Sequence, residues 1–216
     1  MDLVIGLCLW VVYLAGWTAI RGATAHTPQE RLPRPTPWGI GLFAAVAAPS
    51  LLQFALPGLY DAGRRDVAAI ADGEWWRFLT SLVLQDGGWL GTAFNLVTLA
   101  ISVALVGTVL RGPVMVAGFL VGGVVSNVLT VVLLGESGAG NSMATLFLVA
   151  ATAILAWFRV GRGRTGRGRG GALPVAALTA GAVVLLVLHD QHGLAVTSGI
   201  LAGVAAALAV RRSADA

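Results

Sequence analysis

The sequence predicts an all-α polytopic membrane protein, and three observations carry that reading. Of the 216 residues, 57% are hydrophobic and only 11% charged, well under the roughly 25% charged fraction of an average soluble domain. The apolar residues fall in uninterrupted runs at about 3 to 20, 38 to 57, 90 to 110, 113 to 134, 141 to 159, 172 to 189 and 191 to 210. A spanning helix needs about 20 such residues, so the runs predict seven helices. None shows the period-two alternation of a barrel strand, and only helices and closed barrels satisfy their backbone hydrogen bonds in lipid. A helical bundle remains.

The first run, Leu3 to Ile20, has neither a basic region before it nor a small-residue cleavage site in the usual place. It therefore reads as a spanning helix rather than a removed signal peptide. The single cysteine, Cys8, lies inside it, which excludes an intramolecular disulfide or a cysteine metal cluster. After the second run comes a segment, 58 to 89, that fits neither a span nor a simple loop. Its Trp75, Trp76 and Trp89 flank an apolar stretch about a dozen residues long, too short to cross. It is expected to lie in the outer interface, where indole rings are at home; an ordinary aromatic belt is the plainer account of the same residues.

Orientation follows from the arginines, which are all 14 of the basic residues. The stretch 159 to 170 carries Arg159, Arg162, Arg164, Arg167 and Arg169 with no acidic residue, in a glycine-rich linker. Short cytoplasmic loops retain basic residues. Placing this loop inside also places Arg21, Arg31, Arg34, Arg111, Arg211 and Arg212 there, and leaves Asp61, Asp66, Asp72, Glu74, Asp86, Glu136 and Asp190 outside, along with Arg64, Arg65 and Arg77. The expected topology is N-terminus out and C-terminus in, in the plasma membrane of a bacterium. The net charge of +4 thus orients helices, and no nucleic-acid partner is expected.

Chemistry can be sought at the outer helix ends. A serine hydroxyl becomes a useful nucleophile when a base takes its proton, and histidine suits neutral pH. Gly-x-Ser occurs twice, as Gly135-Glu136-Ser137 and Gly140-Asn141-Ser142. The apolar run that should follow the nucleophile starts only at Met143, which favours Ser142 over Ser137, five residues or about 7.5 Å of helix away. Of the three histidines, His26 falls in a cytoplasmic loop, whereas His189 and His192 both lie at the outer end of the last helix. A serine at a helix N-terminus also offers its own amide to a developing oxyanion. The plainer account of His189, Asp190 and His192 is a polar outer turn with Asp190 capping the final helix.

Read in order, Gly73-Glu74-Trp75-Trp76-Arg77, Phe94-Asn95, Gly140-Asn141-Ser142 and His192 with Ala195 and Gly199 resemble the series found in rhomboids, the intramembrane serine proteases. The resemblance covers about residues 38 to 210. It implies a rhomboid-like six-helix bundle over 38–210, preceded by one extra transmembrane helix and cytoplasmic loop (1–37) and followed by a short cytoplasmic tail (211–216). It further implies a Ser142 and His192 dyad, with Gly140 opening the Gly-x-Ser element and Trp76-Arg77 marking the first outer loop. Asn95 falls where the family has its oxyanion asparagine; interhelical hydrogen bonding is the other role open to it. The substrates implied are transmembrane proteins cut near their outer ends, without metal or cofactor.

The chain departs from the family's pattern at several positions. Gly91 stands where the family has a histidine four residues before Asn95, removing one proposed oxyanion donor. Ser142 is followed by Met143, whereas Ser137 has the Gly138 that usually follows the family's serine. Leu146 takes the place of an aromatic residue that packs on the catalytic imidazole, and Phe147 comes one residue late. The last helix reads in two registers: His192 with Ala195 and Gly199, which keeps a base, or Val196 with Gly199 and Gly203, which does not. An acidic residue near the end of the second core helix is missing, where Val109-Leu110-Arg111 stands. These departures keep a second function open, an inactive rhomboid-like protein that binds transmembrane clients. A transporter is disfavoured by the scarcity of ionisable residues inside the spans.

Overall fold

The computed structural model describes residues 3–24, 33–160 and 168–215. Ten helices follow one another among them: α1 (Leu3–Thr24), α2 (Pro37–Leu52), α3 (Pro57–Gly63), α4 (Val67–Ala71), α5 (Arg77–Thr80), α6 (Gly88–Val106), α7 (Gly112–Leu134), α8 (Ser142–Val160), α9 (Gly168–Val187) and α10 (Gln191–Asp215). The described residues contain no strand beyond one isolated bridge between Arg65 and Gly138. The chain is an all-α, multi-pass membrane protein. Helices α1, α6, α7, α8 and α10 are long and apolar enough to span; α2 and the apolar part of α9, Ala172–Val187, are shorter. His26 and most of the arginine-rich linker, 161–167, lie outside the described residues.

Helix α2 stops five residues short of its expected end because Pro57 disfavours helical backbone at the residue before it, and Leu56 is extended (φ −126°, ψ 80°). Gln53, its backbone still helical (φ −57°, ψ −26°), uses its side chain to clasp another segment. Its Nε2 donates to the Gln85 carbonyl at 2.9 Å, and its Oε1 accepts from the Gln85 amide at 3.0 Å. In an apolar surround the double hydrogen bond satisfies a side-chain amide that would cost about 1–3 kcal/mol unpaired.

Helix α8 is the hub. About 72% of its apolar window is buried, against 33–44% in the other four spanning helices. Helices α10, α7 and α1 pack on it most extensively. Glycine explains how closely α10 comes. A Cβ at Gly199 would lie 2.5 Å from the Phe147 carbonyl oxygen, and one at Gly203 would lie 2.6 Å from that of Ala151. Without a hydrophobic drive between helices in lipid, this backbone contact is what small residues supply. On the other side the Phe147 ring fills the space over Gly122 of α7, 2.1 Å from where a Cβ would stand.

Helix α1 packs against α9, α8 and α6. Gly16 of α1 receives Val149 of α8, Gly181 of α9 receives Val12 of α1, and Trp17 Nε1 donates to Ser102 Oγ of α6 at 3.0 Å. Trp10 sets its ring edge-on to Phe94 at 5.2 Å, and the buried Tyr13 lies beside both Phe94 and Trp17.

Residues 53–88 contain only short helices and a 3-10 turn, Ser81–Val83, in keeping with a non-crossing segment. Trp75 and Trp76 are exposed, and Trp89 stacks on Phe54 with centroids 3.8 Å apart. Within this segment Ser81, Leu82, Leu84 and Gln85 are each at most 2% exposed, so part of it packs against the helices. Its carbonyls and amides find partners on α2, α6 and α7.

Candidate active site

Helix α7 ends at Gly135 in the left-handed region (φ 66°), and seven residues later Ser142 opens α8. The connection is tied down along its length. Gly138 and Arg65 exchange backbone hydrogen bonds of 2.8 Å, the Ala139 amide donates to Asp86 Oδ2 at 2.7 Å, and the Gly140 amide donates to the Ser81 carbonyl at 3.0 Å. Ser142 is thus presented from a fixed loop.

Helix α10 begins just as firmly. His189 takes a left-handed turn (φ 55°) with an exposed side chain, and Asp190 then accepts from the His192 amide at 2.9 Å through Oδ1. The same oxygen lies 2.6 Å from His192 Nδ1. The opposite ring nitrogen, Nε2, lies 3.0 Å from Ser142 Oγ. The side chains of His192 and Asp190 are only 12% and 13% exposed. Burial alone would disfavour the charged Asp190, but the hydrogen bond and charge of His192 and its backbone amide outweigh it and hold the carboxyl below the usual carboxylate range.

The second polar layer converges on Gln85, itself 2% exposed. Its Nε2 donates to Ser50 Oγ at 3.0 Å and Asn141 Oδ1 at 2.8 Å, while its Oε1 accepts from Asn95 Nδ2 at 2.8 Å. One hydrogen of the Asn95 amide is therefore used and one remains. Gly140 shows where it can act. A Cβ there would stand 3.5 Å from both Asn95 Nδ2 and Ser142 Oγ, so the hydroxyl and the amide face one common space, as a nucleophile and an oxyanion donor must. Asn141, whose Oδ1 is taken by Gln85, leaves the first-turn amides of α8 without its side chain as a cap, and such amides have no intrahelical acceptor.

The structure therefore brings Ser142, His192, Asn95 and Gly140 together and keeps the other named residues apart. Ser137 Oγ accepts from the Val67 amide at 3.1 Å in the loop between α7 and α8. Arg77 is buried and structural: Nε donates to Glu74 Oε2 at 2.6 Å and Nη1 to the Asp61 and Arg64 carbonyls at 2.9 and 3.0 Å. Trp76 is 56% exposed. Leu146 is buried in the core. On α10, Gly199 and Gly203 both approach α8, and His192 of the same helix reaches Ser142.

Sequence reasoning missed the ring contact of Asp190, which it treated only as a cap, and missed Gln85, Gln53 and Arg65 altogether. Arg65, 1% exposed, donates through Nη1 to Asn127 Oδ1, through Nε to the Glu136 carbonyl at 3.1 Å and through Nη2 to Gln191 Oε1 at 2.5 Å. A signal was available for the amides. Gln53, Gln85, Asn127 and Asn141 interrupt or border apolar runs, and a buried amide demands partners. No family model matches the chain, and neither a curated protein nor a solved structure is similar to it.

Proposed function

We propose that this chain is a rhomboid-type intramembrane serine endopeptidase that cuts transmembrane substrates near the outer membrane face. The observation that carries the reading is the 3.0 Å approach of Ser142 Oγ to His192 Nε2 at the ends of two apolar helices. It is supported by the order of the motifs along the core helices, and the reading takes α1 as an added helix and an N-out, C-in orientation in a bacterial plasma membrane. The partners are then transmembrane proteins and the bilayer itself.

Ser142 Oγ attacks the scissile carbonyl as His192 Nε2 takes its proton. The resulting oxyanion accepts from the Ser142 amide and from the remaining Asn95 Nδ2–H. His192 passes the proton to the leaving amine, and water then resolves the acyl-enzyme by the same base. With Gly91 in place of a further donor, turnover is expected to be lower by about 100-fold to 1,000-fold than with a full set.

The test is cleavage of a helix-destabilised reporter substrate, together with labelling by a fluorophosphonate. Ser142→Ala and His192→Ala should each abolish cleavage, and the double variant should be no worse, because groups acting as one unit are not additive. Asn95→Ala should slow cleavage by roughly 100-fold and leave weak labelling. Ser137→Ala and His189→Ala should be near neutral. A wild type that is neither labelled nor active on any such substrate would overturn the reading in favour of a client-binding pseudoprotease, which the loss of a donor at Gly91 favours.

A further inference from the structure

We infer that Asp190 is the third member of the site, a positioning residue that fixes which nitrogen of His192 carries the proton, so that the device is a Ser-His-Asp triad rather than a dyad. The inference rests on the protease reading for its consequence, but its geometry stands by itself. A single oxygen, Asp190 Oδ1, meets both the backbone amide and the ring Nδ1 of His192, at 2.9 and 2.6 Å. The first contact caps α10, and the second locks the ring to the cap.

A carboxylate can only accept, so Nδ1 must carry the hydrogen whenever the ring is neutral. Nε2, facing Ser142 Oγ at 3.0 Å, is then left with a lone pair and able to act as base. When Nε2 takes the serine proton, the ring becomes a cation beside the Asp190 carboxylate, and that charge is neutralised in place until the proton passes to the leaving amine. No proton moves to Asp190. The contact is also sheltered, since both side chains are nearly nine-tenths buried, so water does not compete strongly for the carboxylate. The neighbouring residue is held as well: Gln191 Oε1 accepts from the buried Arg65, which leaves the turn before His192 little freedom to rotate.

The experiment separates the cap from the ring contact. Serine is a good N-cap but is too short to reach the ring, and asparagine keeps the shape of aspartate without its charge. In a chain carrying His26→Gln and His189→Gln, His192 is the only imidazole left of the three, and its ¹⁵N spectrum reports the tautomer directly. The parent should show protonated Nδ1 and bare Nε2. Asp190→Ser should retain thermal stability close to the parent, lose that tautomer preference, and react with the fluorophosphonate at least about 100-fold more slowly, the scale of a positioned acid–base group. Asp190→Asn should keep the fold and also lose at least about 100-fold. Unchanged tautomer in both variants, or labelling as fast as the parent, overturns the inference. Should the parent never react with the probe, the protease reading falls, while the tautomer spectra still decide the role of Asp190.

Discussion

A histidine placed at position 91 would not restore the donor that the site lacks. Gly91 sits where the turn through Gly87 and Gly88, both at positive φ, folds back on α6, and a Cβ there would lie 2.3 Å from the Asp86 carbonyl oxygen. That obstacle is backbone, so it cannot swing aside. Gly91→His is therefore expected to lower thermal stability by about 1–3 kcal/mol, the usual cost of overpacking, and to slow labelling of Ser142; a faster, equally stable variant would refute this account. The residue scale is also where sequence reading worked unevenly. Ser142 and His192 were legible because only outer helix ends can present them to one another. Asp190 was half legible: its capping role is local and readable from neighbouring letters, whereas its ring contact depends on a side-chain rotation that no spacing encodes. Leu146 and Phe147 mark the same limit, since the ring of Phe147 is spent on Gly122 of α7, a partner far away in sequence.

At the scale of elements, the end of the bundle that carries Ser142 and His192 is held by a buried cation, Arg65. Arg65 joins α7 through Asn127, the α7–α8 loop through the Glu136 carbonyl, and α10 through Gln191. Removing it leaves several buried acceptors without a donor, and each such loss costs about 1–3 kcal/mol. Arg65→Met should thus destabilise the protein by about 3 kcal/mol or more in detergent unfolding, and loosen α10 so that Ser142 labelling falls well beyond the effect of Arg64→Met, whose guanidinium meets Asp66 at a half-exposed site. Equal effects of the two substitutions would remove the anchor from the argument. The existence of α1, α6, α7, α8 and α10 was plain from apolar length alone. The end of α2, set by Pro57 inside an apolar run, and the path of residues 81–85 were not, because Gln53 and Gln85 choose each other across 32 positions and neither feature shows in a hydropathy profile.

The whole molecule has a direction that composition suggests and chemistry requires. If the site works on the outer face, Ser137 must be reachable from outside and position 165 from the cytoplasm. On a Cys8→Ser background, single cysteines introduced at those two positions should label with an impermeant maleimide from opposite sides of intact cells. Labelling of position 165 from outside would invert the protein, moving the Ser142 end of α8 to the cytoplasmic face and ending the case for an outward-facing protease. Arginine placement alone supplied this expectation, because charge bias in short loops acts during insertion and needs no tertiary contact.

The packing of α1 also sets an order of events during synthesis. Its ring partner Phe94 follows Trp10 by 84 positions, roughly 4 to 17 s of translation at 5–20 residues per second, and Ser102, which binds Trp17, comes after it. Val149 and then Gly181, which complete its socket, come later still. Helix α1 is thus made well before the helices that enclose it. Until α9 arrives, α1 has to shelter Val12 and Gly16 among lipid tails or an insertion chaperone, and a ribosome stalled before that point releases a protein whose first helix is still unclaimed.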